Sequence, residues 1–202
     1  MSEDLISRLN KGPIICAEGY LFAMERRGYL QAGAFVPEVV LEHPEVVTQL
    51  HREFIRAGSD VVEAFTYYGH REKLKIIGKE DKLEALQKDA LKIAKDAANE
   101  FPDLNLMVAG NVANTCVYDP KDSSSVEECR KMFEEQVEWA KEAGVDFVIA
   151  ETIVWLEEAK IALKVIKEAD MIAVTNLTIH QEPKTRDGYT PEDACKCLED
   201  LG

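Results

Sequence analysis

The sequence predicts an α/β fold built of parallel βα units, and three observations carry that prediction. Five short apolar runs alternate with longer amphipathic stretches along the chain. The runs are apolar throughout rather than alternating, as strands covered on both faces of a parallel sheet are. One helix-to-strand joint also recurs. Ala57-Gly58-Ser59-Asp60 leads into Val61-Val62-Glu63-Ala64-Phe65-Thr66, and Ala143-Gly144-Val145-Asp146 leads into Phe147-Val148-Ile149-Ala150-Glu151-Thr152. In both, a glycine that tolerates the left-handed helix-ending conformation stands just before an apolar run.

The elements follow in order. Residues 1–10 start as an amphipathic helix, and residues 13–17 (Pro-Ile-Ile-Cys-Ala) read as a first buried strand. Residues 43–57 form a helix with Val46, Val47, Leu50 and Phe54 as its apolar stripe and Gly58 as its stop. Residues 61–66 are the second strand, followed by a split helical region over 70–77 and 81–101. Residues 106–109 are the third strand, 125–143 a long helix stopped by Gly144, and 147–150 the fourth strand. A helix over 155–169 and a fifth strand over 171–178 come next. The last helix, 191–201, has Thr190 as N-cap, Pro191 in its first position and Asp193 completing the start. Five such units can make an open sheet or the front of an eight-stranded barrel, but they cannot close one. No glycine-rich phosphate loop follows any strand, which weakens a nucleotide-binding reading of an open sheet.

Composition narrows the function. The chain has 202 residues, 46% hydrophobic and 31% charged, which suits one domain spanning 1–202. Its formal net charge of −14 argues against nucleic acid or an anionic membrane surface as partner, since both attract basic patches. No apolar run approaches the roughly 20 residues that span a bilayer. The N-terminus lacks the apolar core of a signal peptide. Five cysteines without paired spacing do not suggest a disulfide framework, so the cytosol is the expected compartment.

Parallel α/β folds place their sites at the carboxyl ends of the strands. The polar residues there are Glu18, Thr66, Tyr67, Tyr68, Asn111, Asn114, Glu151, Thr152, Asn176 and Thr178. Glu18 and Glu151 each follow an apolar run. Two carboxylates at one mouth can hold an ammonium, bind a metal, or act as acid and base; each can equally be a solvated loop acid. Tyr67 and Tyr68 can offer ring faces to a cation or simply pack. The cysteines build no metal site: Cys195 and Cys197, two apart on a helix, point away from each other. The histidines lack the spacing of a helical metal motif, and His43 and His70 read as helix-opening, capping or surface residues. Trp139 and Trp155 fall on helices as core or interface residues. Residues 73–95 read as a solvated helix face laced by i,i+4 pairs.

A family pattern emerges from longer stretches. Ala17-Glu18-Gly19-Tyr20-Leu21-Phe22, Glu25-Arg26-Arg27-Gly28-Tyr29 and Ala32-Gly33-Ala34-Phe35-Val36-Pro37-Glu38 open it. His43-Pro44-Glu45, Leu50-His51-Arg52-Glu53-Phe54, Arg56-Ala57-Gly58-Ser59, Phe65-Thr66-Tyr67-Tyr68 and Val145 to Glu151 continue it in register. Over nearly the whole chain the sequence resembles the homocysteine S-methyltransferases, above all the betaine–homocysteine methyltransferases. The resemblance implies the first five units of a (βα)8 barrel, truncated before strand six. It also implies methyl transfer from a betaine-like onium donor to homocysteine, giving methionine. Glu151 and Glu18 would hold the homocysteine amino group, with Gly19 beside Glu18. Phe35 and Tyr68 would flank the donor. Thr152 stands where mammalian betaine enzymes carry a tyrosine, which leaves dimethylsulfonio or S-methyl donors open beside betaine. Glu18-Gly19 replaces the usual Asp-Gly-Gly, with one residue fewer. Zinc belongs to the intact family, but none of the five cysteines here matches its ligands, so the chain alone is expected to be inactive. A non-catalytic homocysteine-binding or subunit-pairing role, and association as a homo-oligomer, stay open.

Overall fold

The computed structural model describes residues 3–30, 33–180 and 183–202. In chain order the elements are α1 (Leu5–Leu9), α2 (Tyr20–Arg26), α3 (Val39–Glu42), α4 (Pro44–Ala57), β1 (Val61–Glu63), α5 (Arg71–Ile76) and α6 (Leu83–Asn99). They continue as β2 (Met107–Ala113), α7 (Ser123–Ala143), β3 (Phe147–Ile153), α8 (Leu156–Glu168), β4 (Ala173–Leu177) and α9 (Pro191–Glu199). The four strands form one parallel sheet in the sequential order β1-β2-β3-β4.

The joints behave as their sequence requires. Gly58 ends α4 at φ 104° and Gly144 ends α7 at φ 66°, both left-handed. Thr190 caps α9 by accepting from the Asp193 N–H. The helix expected from the N-terminus is the short α1, capped by Asp4; Met1 and Ser2 lie outside the described residues.

The first of the five expected strands is a correction. Residues 13–17 make only one parallel bridge, Cys16 to Val61, instead of a ladder. Pro13 has no N–H to give. The Ile15 N–H goes to the Asp60 carboxylate at 2.9 Å. What remains is Ala17 N–H to the Val61 carbonyl, and Val61 and Asp60 N–H to the Ile15 carbonyl. The segment still lies along β1 and delivers Glu18 and Gly19 to its end. Two further strands outrun their expected ends: β2 continues to Ala113 and β3 to Ile153, so Asn111, Glu151 and Thr152 are strand residues.

The period of two along each strand sorts the sheet into two faces. Val62, Val108, Val112, Val148 and Ala150 pack under the helices, against Phe133 and Val137 of α7 and Ala159, Ala162 and Ile166 of α8. Val61, Met107, Ala109, Phe147 and Ile149 form the opposite layer, closed below by Leu5 of α1. By the same alternation Glu63, Asn111 and Glu151 share that second face, nearer the strands' carboxyl ends.

Candidate functional site

At those carboxyl ends lies a cavity of about 320 Å³. Glu63, Asn111, Glu151 and Thr152 come from the sheet, Tyr67 and Tyr68 from the loop after β1, and Phe35 from the segment before α3. Gly19, Tyr20, Leu21 and Phe22 close the remaining side. The cavity therefore has an acidic floor and aromatic walls.

The floor is a short hydrogen-bonded chain. The Asn111 Nδ2 donates to Glu63 Oε1 and to Glu151 Oε2, each at 2.5 Å. Glu63 is 3% exposed and Asn111 4%. Burial raises the Glu63 carboxyl well above its ordinary range, and the Glu151 charge adds to that. Burial also raises Glu151, with the Asn111 bond pulling the other way and Glu18 pushing up. Burial, then Glu63, pushes the Cys16 thiol up to about 11. No lysine or arginine lines the cavity among the described residues.

The walls are held in costly backbone. Phe35, Tyr68 and Thr152 stand at φ 54°, 59° and 58°, and Gly19 at 85°. For a β-branched residue such as Thr152 this region is a true outlier, and such strain gathers at functional sites. The rings of Tyr67 and Tyr68 lie 4.3 Å apart between centroids, and Lys73 Nζ sits 4.0 Å from the Tyr68 centroid. One face of that ring thus already meets a cation.

A buried polar layer behind the site fixes its loops. Thr66 Oγ1 donates to the Asn111 carbonyl at 2.8 Å. Gln87 of α6 donates to the Gly69 carbonyl at 2.6 Å, directly after Tyr68. Gly69 itself admits no side chain, since a Cβ would stand 2.9 Å from Leu86 Cδ2 and from the Thr66 carbonyl. Glu158 of α8, 1% exposed, accepts from the Thr115 N–H at 2.7 Å and its hydroxyl at 2.6 Å.

The structure brings five of the six expected site residues, Gly19, Phe35, Tyr68, Glu151 and Thr152, to one cavity. Glu18 is exposed and lines the adjoining surface hollow with Phe22, Arg26 and Arg27. Its charge still reaches Glu63 and Glu151. Asn114, Asn176 and Thr178 do not line the cavity. Glu63 was not among the candidates; the available signal was a carboxylate inside an apolar run. His70 is a second correction. It opens α5 without a side-chain cap and is buried rather than on the surface, because Tyr68 and the Asn114 backbone close over it. Burial, then Lys73, lowers it to about 4. Trp155 is a third: it is the N-cap of α8, half-buried beside Tyr118.

Zinc finds no fit here. Among the described residues no group of three or more His, Cys, Asp or Glu could hold a metal ion. Cys16 and Cys116, near the strand ends, belong to no such group, and Cys116 is exposed in the loop after β2.

A parallel βα wall with one small-molecule cavity at its strand ends defines an α/β protein of the ligand-binding or enzymatic kind. Residues 19–202 match the family described as homocysteine S-methyltransferase, and the chain belongs to that family. It is 37% identical over 192 residues to betaine–homocysteine S-methyltransferase 1 of Sus scrofa, covering 93% of this chain and 67% of that protein. It is 36% identical to the Xenopus tropicalis protein of the same name, covering 98% of this chain and 49% of that one. An S-methylmethionine–homocysteine S-methyltransferase of Pongo abelii is 35% identical over 98% of this chain and 52% of its own length. The chain thus spans between about half and two thirds of these relatives. Among solved structures, the metallated homocysteine methyltransferase MmuM of Escherichia coli superposes with a TM-score of 0.81 at 23% identity, over 97% of this chain and 74% of that chain. That likeness carries the fold.

Proposed function

We propose that this chain forms the homocysteine-binding wall of a homocysteine S-methyltransferase. In the whole protein a methyl group passes from a betaine-like onium donor to the homocysteine sulfur, giving methionine. The observation that carries this reading is one cavity with carboxylates on its floor and aromatic rings on its sides. Glu151 accepts hydrogen bonds from the amino acid ammonium, and Glu18 adds negative potential from the rim. Phe35 and Tyr68 turn ring faces to the methylated cation, which has no N–H and binds through dispersion and the ring quadrupole. The strained backbone of Phe35, Tyr68 and Thr152 fixes those groups before substrate arrives. Zinc supplies thiolate activation in the family that the chain resembles. The described residues offer it no ligand set, so no step of this chain runs through it, and the chain alone binds rather than turns over.

Calorimetric titration with L-homocysteine tests the reading. Glu151→Gln should weaken binding by about ten- to hundredfold, the worth of a hydrogen bond to a charged group. Unchanged affinity in that variant would sink it.

One feature favours a second reading, a non-catalytic subunit that pairs with another chain. Every residue of β4 is half-buried or exposed, and β4 pairs on one side only among the described residues. Co-purification with a longer homologous subunit would support that reading; a lone monomer would count against it.

A further inference from the structure

The floor of the cavity holds more acceptors than one carboxylate needs. Glu63, Asn111 and Glu151 form a chain in which the only N–H donor, the Asn111 amide, is already spent on both carboxylates. The Asn111 Oδ1 is buried and has no hydrogen-bond partner. No cationic side chain lines the cavity among the described residues. A buried acceptor without a donor, beside one buried and one half-buried carboxylate without a counter-ion, is costly unless a ligand supplies both.

We propose that Glu63 is a further substrate-binding residue, and that Glu63, Glu151 and Asn111 Oδ1 together form a three-acceptor cradle for a primary ammonium. An ammonium carries three N–H donors and one positive charge, which matches three acceptors and the missing counter-ion. A quaternary ammonium or sulfonium has no N–H and leaves the Asn111 oxygen unpaired. The floor therefore selects the amino acid and leaves the onium donor to the aromatic wall. This deepens the homocysteine reading and rests on it.

The cradle also predicts a proton count. Burial and mutual repulsion favour protonation of this carboxylate pair while the site is empty, and an entering ammonium favours the ionised pair and releases the proton. The other groups facing Glu63 and Glu151 are Glu18 at the rim, Cys16 and Tyr20 beside β1, and Tyr67 above; none is cationic.

The test is calorimetric titration of the chain with L-homocysteine and with 4-mercaptobutanoate, the same molecule without its amino group, under reducing conditions. Glu63→Gln should weaken homocysteine about ten- to hundredfold and leave 4-mercaptobutanoate unchanged. A merely structural role would weaken both ligands alike and would overturn the proposal. So would a Glu63→Gln chain that binds homocysteine as tightly as the parent. Should the variant not fold, the parent chain still decides. Repeating its titration in two buffers of different ionisation enthalpy should reveal proton release with homocysteine and none with 4-mercaptobutanoate. Equal proton counts for the two ligands would overturn the cradle while leaving the homocysteine reading standing. A parent chain that binds neither ligand would overturn both.

Discussion

His51 shows how burial sets the behaviour of a single side chain. It is fully buried on α4, with its Nδ1 3.0 Å from the Tyr20 hydroxyl and its Nε2 unpartnered. Burial lowers its pKa to about 3. The unfolded chain takes up a proton there near the ordinary histidine value of about 6.5, while the folded chain does not until far lower pH. A depressed folded pKa means stability that is present above about pH 6.5 and is lost as pH falls towards 3. The raised carboxyls Glu63, Glu151 and Glu158 act in the opposite sense, since the folded chain takes up their protons first. Comparison with His51→Gln cancels them. Between about pH 7.5 and about pH 5 the parent should lose about 2 kcal/mol more than the variant in urea unfolding. Parallel pH curves for the two proteins would show that His51 is not the source.

Between strand and helix, closeness of approach is decided at Gly110 on β2. A Cβ there would stand 3.0 Å from the Ala140 Cβ of α7 and 3.5 Å from Val148 Cγ2. The Ala140 Cβ has no rotamer to move to, so relief requires shifting the whole of α7. Gly110→Ala is therefore expected to destabilise the chain by about 1–3 kcal/mol, as overpacking does. A lowered urea midpoint at constant slope would register it. An unchanged midpoint would mean that α7 slides on the sheet without cost. Element boundaries were the less legible part of this scale. The strand that apolarity predicts over residues 13–17 fails because Pro13 and the Asp60 carboxylate remove the N–H groups a ladder needs. The helix ends at Gly58, Gly144 and Thr190 were legible because capping is local chemistry.

For the whole molecule, the open edge of β4 is the governing feature. Its residues are half-buried or exposed, and its outer backbone groups face no further strand among the described residues. Such edges pair with other chains. Sedimentation at rising concentration should show reversible association of this 22.7 kDa chain. A single monomeric species across the range would argue that loops or α9 shield the edge.

The sequence by itself determined the parallel βα order, the family and most of the cavity wall. Those depend on periodicity, caps and contiguous motifs, which are local in the chain. Phe35, Tyr68 and Glu151 were identifiable because the family motifs carry them, and Thr152 because it stands where the resembled betaine enzymes have a tyrosine. Only the tertiary structure decided that Glu63 and Asn111 join Glu151 on one floor, since the three stand on separate strands and meet through parallel register and strand alternation. It also decided that Glu18 lies at the rim and that His51 and His70 are buried. Burial and register are properties of the packed sheet, and no single segment of the sequence encodes them.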